Sequence, residues 1–283
     1  MKNLLLALII FPCFTHATTY YVSPFGNDGN PGTITSPFRN WQRLSDIMVA
    51  GDIAYIRGGT YTPTSPPGLY IHCLISNLNG NSGNWITIQN YPGESPVFDF
   101  TGFVITNTDA WAVYFENCSY LKVKGLRVTG LAQSLGGVGV SRGINIALSN
   151  NMLLEKIEVD RMGGTGFHIA HSNDVTYLNC DSHHNADPYS TTSPPYGGAD
   201  GFAGGGGETS TRTVYNGCRA WWNSDDGFDF FATDGVRTLI NCWSFWNGYI
   251  GGTFNEAGNG EGYKLGPTAT NQSTVITKFL NNC

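Results

Sequence analysis

Acidic side chains gather around two Asp-Gly phrases in the second half of the chain, and carboxylates are residue types that can hold a metal ion. Asp200 begins one phrase, and Asp225, Asp226 and Asp229 lie in residues 223–229, which read Asn-Ser-Asp-Asp-Gly-Phe-Asp. Singly, each Asp-Gly is an ordinary turn sequence. Together they make a metal site only if the fold places the two phrases side by side.

A glycine phrase that occurs five times indicates the fold that would do so. Its glycines are Gly143, Gly166, Gly201, Gly227 and Gly262, which are 23, 35, 26 and 35 residues apart. An irregular unit of about 23 residues, twice enlarged by an insertion, is typical of a solenoid in which repeats stack.

A second phrase repeats in step with the first and ends in Cys180, Cys218, Cys242 or Cys283. Between these corners lie short runs that alternate and are rich in β-branched and aromatic residues. Short strands with Gly and Asn corners, and no helix to return the chain, predict an all-β fold of the parallel β-helix type. We expect the corner cysteines to stack as buried thiols, although neighbouring rungs, roughly 4.8 Å apart, also lie within disulfide reach.

The stacking predicts which side chains face outward at the glycine phrase. The residue after each glycine is large and apolar and should point inward, so that its neighbours point outward. On this register Asp200, Asp226 and Glu261 form a column, and Lys264 lies about 4.8 Å from Asp229. Converging carboxylates repel one another unless a cation joins them, and an oxygen-only set favours calcium over magnesium.

The chain of 283 residues is rich in glycine, with 37, and poor in charge, with 13% charged residues. Because the repeat is continuous from about residue 85, we expect one elongated domain. We assign residues 1–17 to a signal peptide, 18–84 to an N-terminal cap with the first rungs, and 85–283 to the β-helix. The cap should contain a short helix near residues 41–48, and we expect a truncated C-terminal end because the sequence stops in mid-rung.

The N-terminus has the pattern of an export signal. An apolar run over residues 4–14 is followed by Thr-His-Ala, which suits cleavage after Ala17. The run is too short to span a bilayer. We therefore expect a secreted protein, extracellular or periplasmic and without a membrane anchor. We also expect a monomer with no nucleic-acid partner, and the formal net charge is -6.

The strings Ala-Asp-Gly-Phe-Ala at residues 199–203, Asn-Ser-Asp-Asp-Gly-Phe-Asp at 223–229 and Gly-Tyr-Lys-Leu-Gly at 262–266 resemble polysaccharide lyase family 9. This family contains calcium-dependent pectate lyases with a right-handed parallel β-helix. The motifs cover about residues 187–266, and residues 20–61 are similar to the family's N-terminal segment. The resemblance implies Ca²⁺ as cofactor, an acidic polysaccharide such as polygalacturonate as substrate, and cleavage by β-elimination.

Carried over by motif, the resemblance makes Asp200, Asp225, Asp226 and Asp229 the calcium ligands and Lys264 the catalytic base. Two departures from the family pattern stand out. Residues 204–208 read Gly-Gly-Gly-Gly-Glu where a basic residue is usual, and the rungs expected beyond Lys264 are absent.

Two other functions fit a β-helix with paired aspartates. A polygalacturonase-type hydrolase needs an acid and a water-activating base, but its Gly-His-Gly and Arg-x-Lys phrases are absent and Lys264 would have no role. A non-catalytic uronate-binding solenoid is the other alternative. The sequence leaves open the polymer, endo or exo action, and whether Arg219, Arg237, His183 or His184 supports the site.

Overall fold

The structure is a computed structural model that describes residues 17–62, 71–105, 108–135, 140–204, 210, 212–231, 233, 235–266 and 278–281. Within these residues the chain coils through short strands. In chain order they are β1 (Thr19–Val22), β2 (Ile53–Ile56), β3 (Gly59–Tyr61), β4 (Ile71–Ser76), β5 (Ile86–Asn90), β6 (Pro96–Asp99), β7 (Ala110–Glu116), β8 (Ser119–Lys124), β9 (Arg127–Thr129), β10 (Ser141–Ala147), β11 (Asn150–Glu155), β12 (Glu158–Asp160), β13 (Phe167–Ala170), β14 (Asn173–Leu178), β15 (Asp181–His183), β16 (Phe202–Gly204), β17 (Thr213–Asn216), β18 (Arg219–Trp221), β19 (Phe228–Asp229), β20 (Arg237–Ile240), β21 (Trp243–Phe245), β22 (Tyr263–Lys264) and β23 (Lys278–Asn281).

These strands form three parallel sheets that wind into a β-helix. Sheet 1 has nine strands, in the order β1-β2-β5-β8-β11-β14-β17-β20-β23. Sheet 2 runs β3-β6-β9-β12-β15-β18-β21, and sheet 3 runs β4-β7-β10-β13-β16-β19-β22. From β2 onward every third strand joins the same sheet, so each rung contributes one strand to each sheet. The predicted all-β parallel β-helix is confirmed.

Sheet 3 has the register that the glycine phrase predicts. The residues that follow the five glycines pair in succession: Ile144 with Phe167, Phe167 with Phe202, Phe202 with Phe228, and Phe228 with Tyr263. The aromatic rings stack inside the solenoid at centroid separations of 4.8, 4.9 and 5.2 Å. Burying each ring stabilises the fold by about 1.5–3 kcal/mol, which fixes the register because a slip of one residue would expose the stack.

The second corner of each unit turns through the left-handed region that Asn and Gly tolerate. The φ angles are 53° at Asn179, 66° at Gly217 and 54° at Asn241. The cysteine that follows each of them is buried and free, and its thiol donates to a carbonyl oxygen of the preceding rung at 3.4 Å. The stacked-thiol prediction is confirmed for Cys180, Cys218 and Cys242, and Cys283 lies outside the described residues.

The N-terminal segment supplies strands to all three sheets and a short 3-10 helix, Trp41–Asp46, as predicted. The buried indole of Trp41 lies 4.6 Å from the ring of Phe98 and 5.9 Å from that of Phe115, so the helix covers the core of the first rungs. Residues 1–16, which hold most of the predicted signal peptide, lie outside the described residues. In the described part of the chain we find no helix with the length and apolarity needed to cross a membrane.

Candidate active site

The site lies on the outward face of sheet 3, where the chain turns into β16, β19 and β22. The backbone N–H after Asp200 donates to the carbonyl oxygen of Asp226, and the N–H after Asp226 donates to that of Glu261, both at 2.9 Å. Asp229 pairs directly with Lys264 across neighbouring strands. The structure therefore brings together the column and the lysine that the sequence register predicted.

A ladder of buried asparagines shapes the turn before these strands. The side-chain amide of Asn185 donates to Asn223 at 2.8 Å, and that of Asn223 donates to Asn247 at 2.9 Å. Gly227 lies so close to this ladder that an added Cβ would be 1.9 Å from the hydroxyl of Ser244. The sequence interpretation missed the ladder, although each asparagine falls five residues after a corner cysteine, namely Cys180, Cys218 and Cys242.

Three aspartates form a compact group, which we call the aspartate group: Asp200, Asp226 and Asp229. Each offers a carboxylate oxygen within 4.8 Å of the others. Burial raises the pKa of Asp200 well above its ordinary value, and the charges of Asp229, Asp225 and Asp226 raise it further. Burial also raises the pKa of Asp229. An oxygen-only set in which burial opposes the ionisation of Asp200 and Asp229 fits a hard divalent cation.

Asp225 is buried beside the aspartate group but is held by a different element. Its Oδ1 accepts a hydrogen bond from the backbone N–H of Asn259 at 2.6 Å. Gly258 packs so tightly that an added Cβ would be 2.5 Å from the same Oδ1. The pKa of Asp225 is raised to about 6, chiefly by burial. The insertion between β21 and β22, residues 246–262, therefore fixes the orientation of this carboxylate.

Lys264 projects into the carboxylates. Its Nζ lies 2.9 Å from Oδ2 of Asp226, 3.5 Å from Oδ2 of Asp229 and 3.8 Å from Oε2 of Glu261. Burial lowers the pKa of Lys264, but the hydrogen bond to Asp226 and the charges of Asp229, Asp226 and Asp225 outweigh burial and hold the pKa above its ordinary value. Lys264 is therefore protonated while its neighbours are ionised.

The supporting residues considered from sequence lie on other sheets. His183 and Arg219 belong to sheet 2, where the imidazole of His183 stacks on Trp221 at 4.2 Å. Arg219 forms an ion pair with Asp181. Arg237 is buried in sheet 1. Of the Gly-rich segment at 204–208, only residue 204 lies within the described part of the chain.

A second cluster of possible metal ligands lies on sheet 2, and we call it the mixed group: Glu158, Asp160 and His183. Its ligand atoms also lie within 4.8 Å of one another. Here, however, Arg127 forms ion pairs with both carboxylates, at 3.1 Å for Glu158 and more closely for Asp160. The mixed group is therefore already neutralised by a protein cation.

Comparison with known proteins identifies relatives across nearly the whole chain. Pectate lyase L of Dickeya dadantii (strain 3937) is 30% identical over 270 residues, which are 92% of this chain and 58% of that protein. A solved rhamnogalacturonan lyase matches with a TM-score of 0.76 and 31% identity over 94% of this chain and 66% of that one. The pectate lyase Pel9A matches with a TM-score of 0.72 and 26% identity, covering 94% of this chain and 62% of that one.

The chain thus spans a little over half the length of the Dickeya protein. Residues 20–283 match the family profile described as "Pel9A-like, right handed beta helix region", which confirms the predicted hand of the helix. From the sheet register, the motifs and this match, the chain belongs to the Pel9A-like right-handed β-helix family, as the resemblance to polysaccharide lyase family 9 indicated.

Proposed function

We propose that this protein is a calcium-dependent pectate lyase that cleaves polygalacturonate by β-elimination. One observation carries the proposal: the ammonium of Lys264 lies 2.9 Å from Asp226, inside a group of buried carboxylates on the outward face of one sheet. Relatives named as pectate lyases support the same chemistry. A proton acceptor beside a cation site is what elimination from a uronate requires.

Lys264 is the proposed base. The neutral amine takes the proton from C5 of the uronate, the C5–H electron pair forms the C4=C5 double bond, and the C4–O bond breaks. The leaving oxygen keeps the bonding pair and takes a proton from water. Because the free amine has a pKa of about 10.4, and the neighbouring carboxylates raise the pKa of Lys264, the reaction should speed up as the pH becomes alkaline.

Asp200, Asp226 and Asp229 would hold the ion, and Asp225 is the fourth proposed ligand because the bond from Asn259 engages only its Oδ1. When bound, Ca²⁺ supplies positive charge that stabilises the uronate carboxylate as negative charge develops on it. The same charge opposes the carboxylates that hold Lys264 protonated. The four aspartates therefore serve both the binding and the protonation state of the base.

A second substrate has its own support. The rhamnogalacturonan lyase matches this chain with a TM-score of 0.76, slightly above that of the pectate lyase Pel9A. Rhamnogalacturonan also contains uronate residues with a C5 proton, so Lys264 could perform the same step. We propose it as the alternative polymer for the same site.

The test is the ultraviolet absorbance of the unsaturated product, measured on polygalacturonate, methylated pectin and rhamnogalacturonan, with Ca²⁺ and with EDTA. We expect absorbance that depends on Ca²⁺ with at least one polymer. Reducing ends without absorbance would show a hydrolase, binding without either signal would show a non-catalytic solenoid, and full activity in EDTA would contradict the calcium assignment.

We also propose export, on the signal pattern in residues 1–17. N-terminal sequencing of the mature protein should begin at Thr18, and retention of Met1 would contradict it. The monomer that we expect can be checked by light scattering after gel filtration.

A further inference from the structure

Along the helix axis, the side chains on the outward face of sheet 3 change from aromatic, basic and uncharged polar residues to acidic ones. One column of outward positions passes, one rung at a time, through Trp111, Arg142, Thr165, Asp200 and Asp226. The acidic positions are therefore preceded by a cation and an aromatic ring in the same column. At about 4.8 Å per rung, Arg142 lies roughly 14 Å before Asp226 along the axis.

The neighbouring column continues the same face. It passes through Tyr114, Asn145, His168, Ala203 and Asp229, and Lys264 pairs with Asp229 in the next rung. Neither column carries a carboxylate before Asp200. A linear polymer that lies along the axis over Lys264 would therefore meet a face without acidic side chains in these columns before it reaches the aspartate group.

Arg142 has the chemistry to bind a carboxylate on this face. Its Nη1 donates to Asp109 at 3.1 Å, and its guanidinium carbon lies 5.9 Å from the centre of the Trp111 ring. A guanidinium has five N–H donors in a planar fork, so with one hydrogen bond to the residues that the structure describes, Arg142 has donors left for another anion. The side chain is 21% exposed, which keeps the group accessible while its stem is packed.

Apart from Asp109, the groups beside Arg142 in the neighbouring column, Asn145 and His168, are polar and uncharged. The Nδ1 of His168 lies 2.6 Å from Oδ1 of Asn145, an acceptor, so that nitrogen carries the hydrogen. Burial, and then the charge of Arg142, lower the pKa of His168 to about 3. The ring is therefore neutral at any pH where a lyase would work, and it offers hydrogen bonding to hydroxyl groups without added charge.

We propose that Arg142 and Trp111, with His168 beside them, form a subsite for a second uronate residue of the polymer that reaches Lys264. The guanidinium binds that residue's carboxylate, and the indole contacts the face of its sugar ring. The choice of a uronate polymer rests on the proposed function, whereas the subsite itself rests on charge complementarity and on continuity with the aspartate group.

The test compares Arg142→Ala with wild type on oligogalacturonides of increasing length. KM should rise roughly tenfold on chains long enough to reach Arg142, the cost of one charge-assisted contact, and remain unchanged on the shortest cleaved oligomer. The kcat should not change on either. Arg142→Lys, which keeps the charge and loses the fork, should restore only part of the affinity.

Arg43→Ala is the matched control. Arg43 also donates one nitrogen to a single carboxylate, Asp46, but lies in the N-terminal 3-10 helix. It should leave KM unchanged at every length. An equal effect of Arg142→Ala on all lengths, or no effect on the polymer, would overturn the subsite even if the enzyme is an active lyase.

A binding measurement separates failure of the subsite from failure of the proposed function. In gel electrophoresis through polygalacturonate, wild type should be retarded more than Arg142→Ala, and thermal melting should confirm that the variant is folded. If no elimination is found but this difference persists, the subsite stands and the lyase proposal fails. If the two proteins migrate alike, the subsite is wrong.

Discussion

Two groups of possible metal ligands project from the same β-helix, and they differ in what neutralises them. The aspartate group on sheet 3 gathers Asp200, Asp226 and Asp229, and within the described residues its ion pairs are those of Lys264 with Asp226 and Asp229. The mixed group on sheet 2 is equally compact, but Arg127 lies between its carboxylates, and Arg161 is 3.7 Å from Asp160.

The difference is visible in the proton affinities. The pKa of Asp200 is raised because burial and three neighbouring aspartates oppose its charge. The pKa of Glu158 is lowered because a hydrogen bond from His183 and the charge of Arg127 favour its ionised form over the opposing effect of burial. Convergence of carboxylates alone therefore does not indicate a cation site. A cation site is indicated instead by an excess of carboxylate charge over the positive charge of the protein groups beside it.

Removing the base should have the largest effect. We expect Lys264→Ala to lower kcat by roughly 10²–10⁴-fold, as loss of a general base does. Calcium affinity should stay the same or increase, because the variant removes a positive charge that lies 2.9 Å from a proposed ligand. Product absorbance and calcium titration calorimetry measure the two effects.

Lys124→Ala is the control for that variant, since Lys124 forms a comparable ion pair with Glu155 at 2.8 Å on sheet 1. It should retain full activity. If Lys264→Ala turned over substrate at the wild-type rate, another group would have to be the base.

Changing one ligand should test the aspartate group directly. Asp200→Asn should weaken calcium binding by roughly 10–100-fold, an effect that is typical of altered metal-site residues. In EDTA the same variant should be more stable than wild type, because it removes a carboxylate whose ionisation burial and neighbouring charges oppose. Melting temperatures with and without Ca²⁺ give both results.

Glu158→Gln makes the same kind of change in the mixed group and should leave the calcium-dependent rise in melting temperature intact. Equal loss of calcium binding in both variants would mean that the two groups do not differ as the charges indicate.

Removing the neutralising cation should make the mixed group resemble the aspartate group. Arg127→Ala leaves Asp160, which is fully buried, without its closest cation, and we expect a loss of about 2–4 kcal/mol in the free energy of unfolding. The variant should also gain a melting-temperature increase with Zn²⁺, because Arg161, 3.7 Å from Asp160, is then the only cation left of the two that neutralise the carboxylates of this group. Denaturation with urea measures the loss, and an unchanged response to Zn²⁺ would contradict the comparison.

The parts of this molecule that repeat were predictable, and the parts that depend on insertions were not. The glycine phrase gave the register of sheet 3 because one large inward side chain follows each glycine, as Phe202 and Phe228 show. Asp225 could not be placed in the same way. Its partner, Asn259, comes from a long insertion between β21 and β22 whose path no repeat determines.

The ion pairs that neutralise the mixed group could not be predicted from the sequence either. Arg127 and Glu158 are 31 residues apart, in successive rungs, and no motif marks them as partners. Cross-rung ion pairs arise from outward positions that any polar residue can occupy, so only the register of the strands reveals them. The convergence of Asp200, Asp226 and Asp229 on sheet 3 was predictable because these residues belong to the same phrase that sets the fold.

The smallest predicted effect concerns pH. Burial raises the pKa of Asp225 to about 6, so in the absence of a cation this carboxyl takes up a proton as the pH falls from 7 to 5. A proposed ligand must lose that proton before it can bind a cation. Calcium affinity should therefore be highest above pH 7 and at least about tenfold weaker at pH 5, because the proton on Asp225 contributes a factor of about ten and the raised pKa values of Asp200 and Asp229 add to it. Asp225→Asn should bind calcium more weakly at pH 7 but show a flatter dependence of affinity on pH between pH 5 and 7.

The control is Glu158→Gln. Because the mixed group is not a proposed calcium site, this variant should keep the wild-type slope. Titration calorimetry across this range measures both, and an Asp225→Asn slope as steep as that of wild type would show that Asp225 does not bind the ion.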